Sequence, residues 1–115
     1  MTDDATALIE LRKLMAAFVV ERDWQQFHTP KNLAMSLAIE AGELMEHFQW
    51  LTPDQSLRVK DDAETVAEIG EEMADVLAYL VALANGLEID LAAAFERKMG
   101  KNRQKYPAEE YRGRY

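Results

Sequence analysis

Apolar residues recur along this chain at helical spacing, and no alternating β-branched run reaches strand length. Leu8, Leu11, Met15, Phe18 and Val19 mark one face of a first helix, from about Asp3 to Arg22. A loop through Trp24 and His28 follows. Thr29-Pro30 then opens a second helix to about Trp50, with threonine as N-cap and proline where no N–H is needed. Thr52-Pro53-Asp54-Gln55 repeats the device, with glutamine placed to close a capping box and start a short turn. A third long helix spans about Asp61 to Asn85, with Gly86 expected as its C-terminal cap. Asp90 fits the N-cap of the last helix, and Pro107 is expected to end regular structure. The pattern predicts an all-α fold: a bundle of four to five helices in a single domain over residues 1–115.

Two of these helices carry an interrupted polar stripe. At 100° per residue, Ser36, Glu40, Glu43, His47 and Trp50 fall within about 80° of one another, while Leu37, Ile39, Met45 and Phe48 cover much of the remaining circumference. On the third helix Asp61, Glu68, Glu72, Asp75 and Tyr79 align likewise, and Asp75 stands directly before the apolar run Val76 to Ala84. Acids make up 21 of 115 residues, so a pair at i, i+3 means little alone and ordinarily faces water. Glu40/Glu43 and Glu72/Asp75 differ in context, because both lie on helices whose other faces are apolar and both should flank a packed seam. Burying unpaired carboxylates is costly unless a cation or a proton intervenes. Four converging carboxylates are hard oxygen ligands, which select Mg²⁺, with Mn²⁺ as a substitute, over zinc or copper. His47 reads as structural.

Composition narrows the chemistry. With 13 Lys+Arg against 21 Asp+Glu the formal charge is −8, which argues against a nucleic-acid partner held by its phosphate backbone. The absence of cysteine removes disulfides, thiolate zinc and a cysteine nucleophile, and suits a cytoplasmic home. The longest apolar run is nine residues, about half of what a membrane span needs, so no membrane association is expected. Charge is uneven: residues 61–75 hold seven acids and no base, whereas residues 97–115 hold seven bases and two acids. The two regions could bind each other or share an anionic, metal-loaded ligand such as Mg-nucleotide. Neither His28 nor His47 follows a glutamate by three residues, as a di-iron bundle requires, and there is no His-Glu-x-x-His and no P-loop. Metal-assisted hydrolysis of a phosphate ester or anhydride survives.

Glu40-Ala-Gly-Glu43 followed by Glu72-Met-Ala-Asp75 resembles the paired signature of the MazG-like all-α nucleoside triphosphate pyrophosphohydrolases. The stretches Glu21 to His28, Phe48-Gln-Trp50, Asp75 to Leu83 and Lys98 to Pro107 are similar to the dCTP pyrophosphatase branch, so the resemblance covers nearly the whole chain. It implies that Glu40, Glu43, Glu72 and Asp75 hold Mg²⁺ on a triphosphate and that one of them serves the attacking water. It further implies that Trp24, His28, Trp50 and Tyr79 line the nucleoside pocket, and that Lys98 and Asn102 contact phosphates or sugar. Met15 stands where dCTP-preferring relatives tend to carry histidine, and replaces a polar contact by a flexible apolar wall. The expected substrates are dCTP or 5-modified dCTP, then other deoxynucleotides.

The second and third long helices are apolar over more than half their circumference, more than a lone bundle can cover. Homo-oligomerisation, as a dimer or a dimer of dimers, is expected to complete the fold. A competing reading is a non-catalytic nucleotide-binding or helical interaction module that keeps the carboxylates for stability.

Overall fold

A computed structural model describes residues 1–114. Six helices and a single 3₁₀ turn account for the regular structure among them, with no strand. The helices are α1 (Leu8–Glu21), α2 (Pro30–Glu46), α3 (Pro53–Leu57), α4 (Ala63–Leu87), α5 (Leu91–Lys105) and α6 (Ala108–Tyr111), and the 3₁₀ turn is Val59–Asp61. The all-α architecture expected from the pattern is present. Among the described residues no single helix is long and apolar enough to cross a membrane.

Local chemistry explains most boundaries. Thr29 Oγ1 accepts from the Asn32 amide at 3.2 Å with Pro30 in the first turn, and Thr52 and Gln55 exchange both bonds of a capping box. Asp90 Oδ1 accepts from the Ala93 amide at 2.9 Å. Five expectations about boundaries are corrected. First, α1 begins at Leu8 instead of Asp3, because Thr2 and Thr6 close a separate turn through hydrogen bonds in both directions. Second, α4 begins at Ala63 instead of about Asp61: the two oxygens of its N-cap, Asp62, accept from the Glu64 amide and the Thr65 hydroxyl, while Asp61 ends the 3₁₀ turn. Third, Gly86 lies inside α4. The left-handed residue that stops the helix is Glu88, at φ 53°, and the Ile89 amide reaches back to the Ala84 carbonyl at 3.0 Å. A glycine one turn early does not decide the end when Ile89 is anchored by a neighbouring helix. Fourth, Pro107 caps a further turn, α6, instead of ending regular structure. The second long helix also closes at Glu46, and residues 47–50 form turns.

Packing is centred on α4, which runs against α2 along most of its length and against α1. Among the described residues the buried side chains are few: Val19 on α1, Leu33 on α2, and Val81, Ala82 and Ala84 on α4. Helix α5 leaves the end of α4 at 102° and shares little surface with the others. The radius of gyration is 17.1 Å, where a compact chain of this length has about 13 Å. Its accessible surface is 9312 Å², against roughly 6,400 Å² for a compact monomer of this mass. Met35, Ile39, Met45 and Met73 are among many large apolar side chains left exposed.

Candidate active site

Helices α2 and α4 lie side by side, so residues at i, i+3 on each project into the same seam. One carboxylate oxygen from each of Glu40, Glu43 and Glu72 falls within 4.8 Å of the other two. Glu40 and Glu72 are half-buried, Glu43 is exposed, and Glu40 Oε2 and Glu72 Oε2 are buried oxygens with no hydrogen-bond partner. The Glu40 carboxyl is held above its ordinary range by a proton shared with Glu43, then by burial, then by repulsion from Glu43, Asp75 and Glu72. Glu72 is raised chiefly by burial and by the Glu43 charge, with a smaller opposing pull from His47. Crowded acceptors without donors are relieved by a proton or by a cation. The all-oxygen donor set, with a buried unpartnered oxygen on both Glu40 and Glu72, fits a hard divalent ion such as Mg²⁺ or Mn²⁺.

Asp75 is exposed and stands outside the three-oxygen group, yet its charge is felt by both Glu40 and Glu72. It joins Glu40 at the polar end of a cavity of about 330 Å³. The opposite end is apolar: Met15 and Phe18 from α1, Ala78 and Tyr79 from α4, and Trp24 and His28 from the loop between α1 and α2. That loop is aimed by backbone geometry. Asp23 adopts φ 53°, a conformation aspartate tolerates better than most residues, and the Trp24 amide returns to the Val19 carbonyl at 3.0 Å. Trp24 thereby meets Phe18 edge-on at 5.7 Å between centroids. His28 sits between the Trp24 and Tyr79 rings, at 6.1 and 6.5 Å, with a buried Nδ1 that has no partner.

The structure thus gathers Glu40, Glu43, Glu72, Asp75, Trp24, His28 and Tyr79 around one seam and one cavity. Trp50, Lys98 and Asn102 are not among the residues lining that cavity. Trp50 lies in the turn after α2, 86% exposed. Lys98 is exposed on α5, and Asn102 makes only a long contact with Met99 Sδ at 3.9 Å. The basic C-terminal region forms no ion pair with the acidic segment: the salt bridges among the described residues are Arg22–Glu21 and Arg114–Glu110. Two residues were underrated by sequence reasoning. Phe18, placed only on the apolar face of the first helix, also walls the cavity, and His47, read as structural, adds a small opposing influence on Glu72. His47 shares the Glu40/Glu43 stripe, which was the available signal.

An all-helical chain that sets paired carboxylates from two packed helices beside an aromatic-walled cavity defines the class. The model of the MazG-like family matches residues 35–114, and the chain belongs to that family. It is 45% identical over 106 residues to dCTP pyrophosphatase 1 of Rattus norvegicus, covering 92% of this chain and 62% of that protein. It is also 46% identical over 101 residues to dCTP pyrophosphatase 1 of Homo sapiens, covering 88% of this chain and 59% of that one. The chain therefore spans about three fifths of the length of the curated relatives it matches. A solved pyrophosphatase from Archaeoglobus fulgidus superposes with a TM-score of 0.81 at 41% identity, over 93% of this chain and 98% of that one.

Proposed function

We propose that this chain is a Mg²⁺-dependent nucleoside triphosphate pyrophosphohydrolase acting on deoxynucleotides, dCTP or 5-modified dCTP first, in a cytoplasmic nucleotide pool. The observation that carries the reading is the triplet of carboxylate oxygens of Glu40, Glu43 and Glu72, of which Glu40 also lines, together with Asp75, a cavity walled by Phe18, Trp24 and Tyr79. Relatives of the same fold and family are named pyrophosphatases, which supports the same chemistry here.

In this reading Glu40, Glu43, Glu72 and Asp75 hold the metal, and Mn²⁺ can replace Mg²⁺. Bound there, the ion withdraws charge from the phosphoryl oxygens as it develops. Water attacks the α-phosphorus, its proton passes to one of these carboxylates, and the bond from the α-phosphorus to the α,β-bridging oxygen breaks. Pyrophosphate leaves with the bonding pair and the nucleoside monophosphate remains. Trp24 and Tyr79 present ring faces to base and sugar, and His28 lies between them. The apolar Met15 wall leaves room beside a pyrimidine 5-position.

Homo-oligomerisation, as a dimer or dimer of dimers, belongs to the same reading. The surface excess of roughly 2,900 Å² over a compact monomer is the area an obligate interface buries. Trp50, Lys98 and Asn102, which do not line the cavity of the single chain, join the substrate site in the assembly, Trp50 beside the base and Lys98 and Asn102 at phosphates or sugar. The test is pyrophosphate release from a panel of nucleoside triphosphates, with Mg²⁺ and with a chelator. Release led by dCTP and abolished by chelation is expected. Tight nucleotide binding with no release from any member would overturn the reading in favour of a binding module.

A further inference from the structure

Among the described residues, the only side-chain hydrogen bonds spanning more than five positions all involve Arg12 or Asn85. Arg12 Nε on α1 donates to Asn85 Oδ1 on α4 at 2.8 Å, and Asn85 Nδ2 donates back to the Arg12 carbonyl at 3.0 Å. Arg12 Nη1 also donates to the Ile89 carbonyl, just past the end of α4, at 2.7 Å. Both side chains are half-buried. Elsewhere α1 leans on α4 through apolar surfaces such as Val19, Val81 and Ala82, whose attraction is non-directional and does not resist sliding. These bonds are directional, and they hold the α1 backbone at Arg12 and the backbone just past α4 at Ile89.

Their place along the helices ties them to the cavity. Arg12 lies one turn before Met15 and two before Phe18 and Val19, whereas Asn85 lies one turn after Ala82 and two after Ala78. Met15 and Phe18 are the α1 wall of the apolar end, and Ala78 and Tyr79 are the wall facing it from α4. A slip of one residue along α1 would rotate Met15 by about 100° out of that wall. The carboxylates stand on α2 and α4 and owe nothing to α1. We infer that Arg12 and Asn85 are positioning residues, a clasp that fixes the register of α1 on α4 and so the fit of the nucleobase; this rests on the nucleotide reading above.

The test uses Asn85→Leu, of similar size without hydrogen bonds, and Arg12→Lys, which keeps the charge and part of the donor set. For the preferred nucleotide, Asn85→Leu is expected to raise KM about tenfold with kcat within about twofold of the parent, the signature of lost binding outside the reacting centre. Arg12→Lys should show a smaller rise, and the double variant should be no worse than Asn85→Leu alone, because both act through one contact. In a Trp50→Phe background Trp24 is the sole indole, and its emission should shift in Asn85→Leu as Phe18 moves from its edge. An unchanged KM with unchanged emission, even beside a lower Tm, would overturn the proposal and leave a stability brace. A fall in kcat with KM unchanged would overturn it too. Should the parent hydrolyse no nucleotide, the nucleotide reading fails and the emission decides: a shift sustains the clasp and none ends it. If Asn85→Leu does not fold, Arg12→Lys carries the same readouts.

Discussion

An oxygen of Glu40 and an oxygen of Glu72 approach within 4.8 Å across the seam between α2 and α4, and each of these residues keeps a buried oxygen that no donor satisfies. Removing one of the two charges therefore relieves repulsion in the metal-free chain while damaging any cation site. Glu40→Gln should cut pyrophosphate release by at least about a hundredfold, since an amide oxygen is a poorer ligand and no base. Its metal-free Tm should equal or exceed that of the parent, and added Mg²⁺ should no longer raise it. A variant with full turnover would count against the assignment of Glu40.

Ligand binding should be visible as stabilisation. With Mg-dCTP at a hundred times its Kd, mass action adds about 2.7 kcal/mol to the folded state. Thermal melts across a nucleotide titration should rise steadily, and only when divalent metal is present. A flat series would remove the nucleotide reading.

Trp24 separates binding from chemistry. Stacking of an aromatic ring on a base contributes about 1–3 kcal/mol, so Trp24→Ala should raise KM by roughly ten- to a hundredfold and leave most of kcat. Steady-state kinetics on dCTP would measure both. A loss confined to kcat would place the ring elsewhere in the reaction.

The apolar groove lined by Leu11, Leu14, Phe18, Leu77 and Val81 runs beside the cavity and shares Phe18 with it. Leu14 is exposed in the single chain. A charge placed there, Leu14→Glu, should shift light-scattering mass from an oligomer to a single copy and weaken nucleotide binding with it. An unaltered mass would remove this groove from the interface.

Asp62 offers a check on the start of α4. Hydrogen bonds from the Thr65 hydroxyl, the Thr65 backbone and the Glu64 amide hold its carboxyl below its ordinary value of 3.8, outweighing a small opposing cost of burial. A lowered carboxyl stabilises the fold above the unfolded-state value and loses that effect as pH falls through the folded one. The Tm gap between the parent and Asp62→Ala should be full near neutral pH and shrink on acidification below about 3.8. A gap that stays constant into strong acid would contradict the cap.

How much was legible follows from the range over which each signal acts. Thr29-Pro30, Thr52 to Gln55 and Asp90 were readable because capping is settled within four residues. The approach of Glu72 to Glu40 and Glu43 was readable because helical periodicity projects them onto apolar-backed seams, whereas Asp75 falls outside that group of oxygens. Gly86 misled because the end of α4 is fixed at a distance, by Arg12 on the Ile89 carbonyl. The place of Phe18 in the cavity was missed because periodicity reports that a face is covered and not whether a cavity or a core covers it. Trp50, Lys98 and Asn102 are not among the described residues that line the cavity, and a local pattern does not report which distant elements a side chain will meet.

Among the described residues only five apolar side chains are buried inside a single copy. So thin an interior is marginal for a single copy, and under the proposed assembly the contact between copies supplies much of the burial that other chains of this size find within themselves. Dilution then acts as a denaturant: the melting midpoint falls as the protein is thinned, and hydrolysis per chain falls with it.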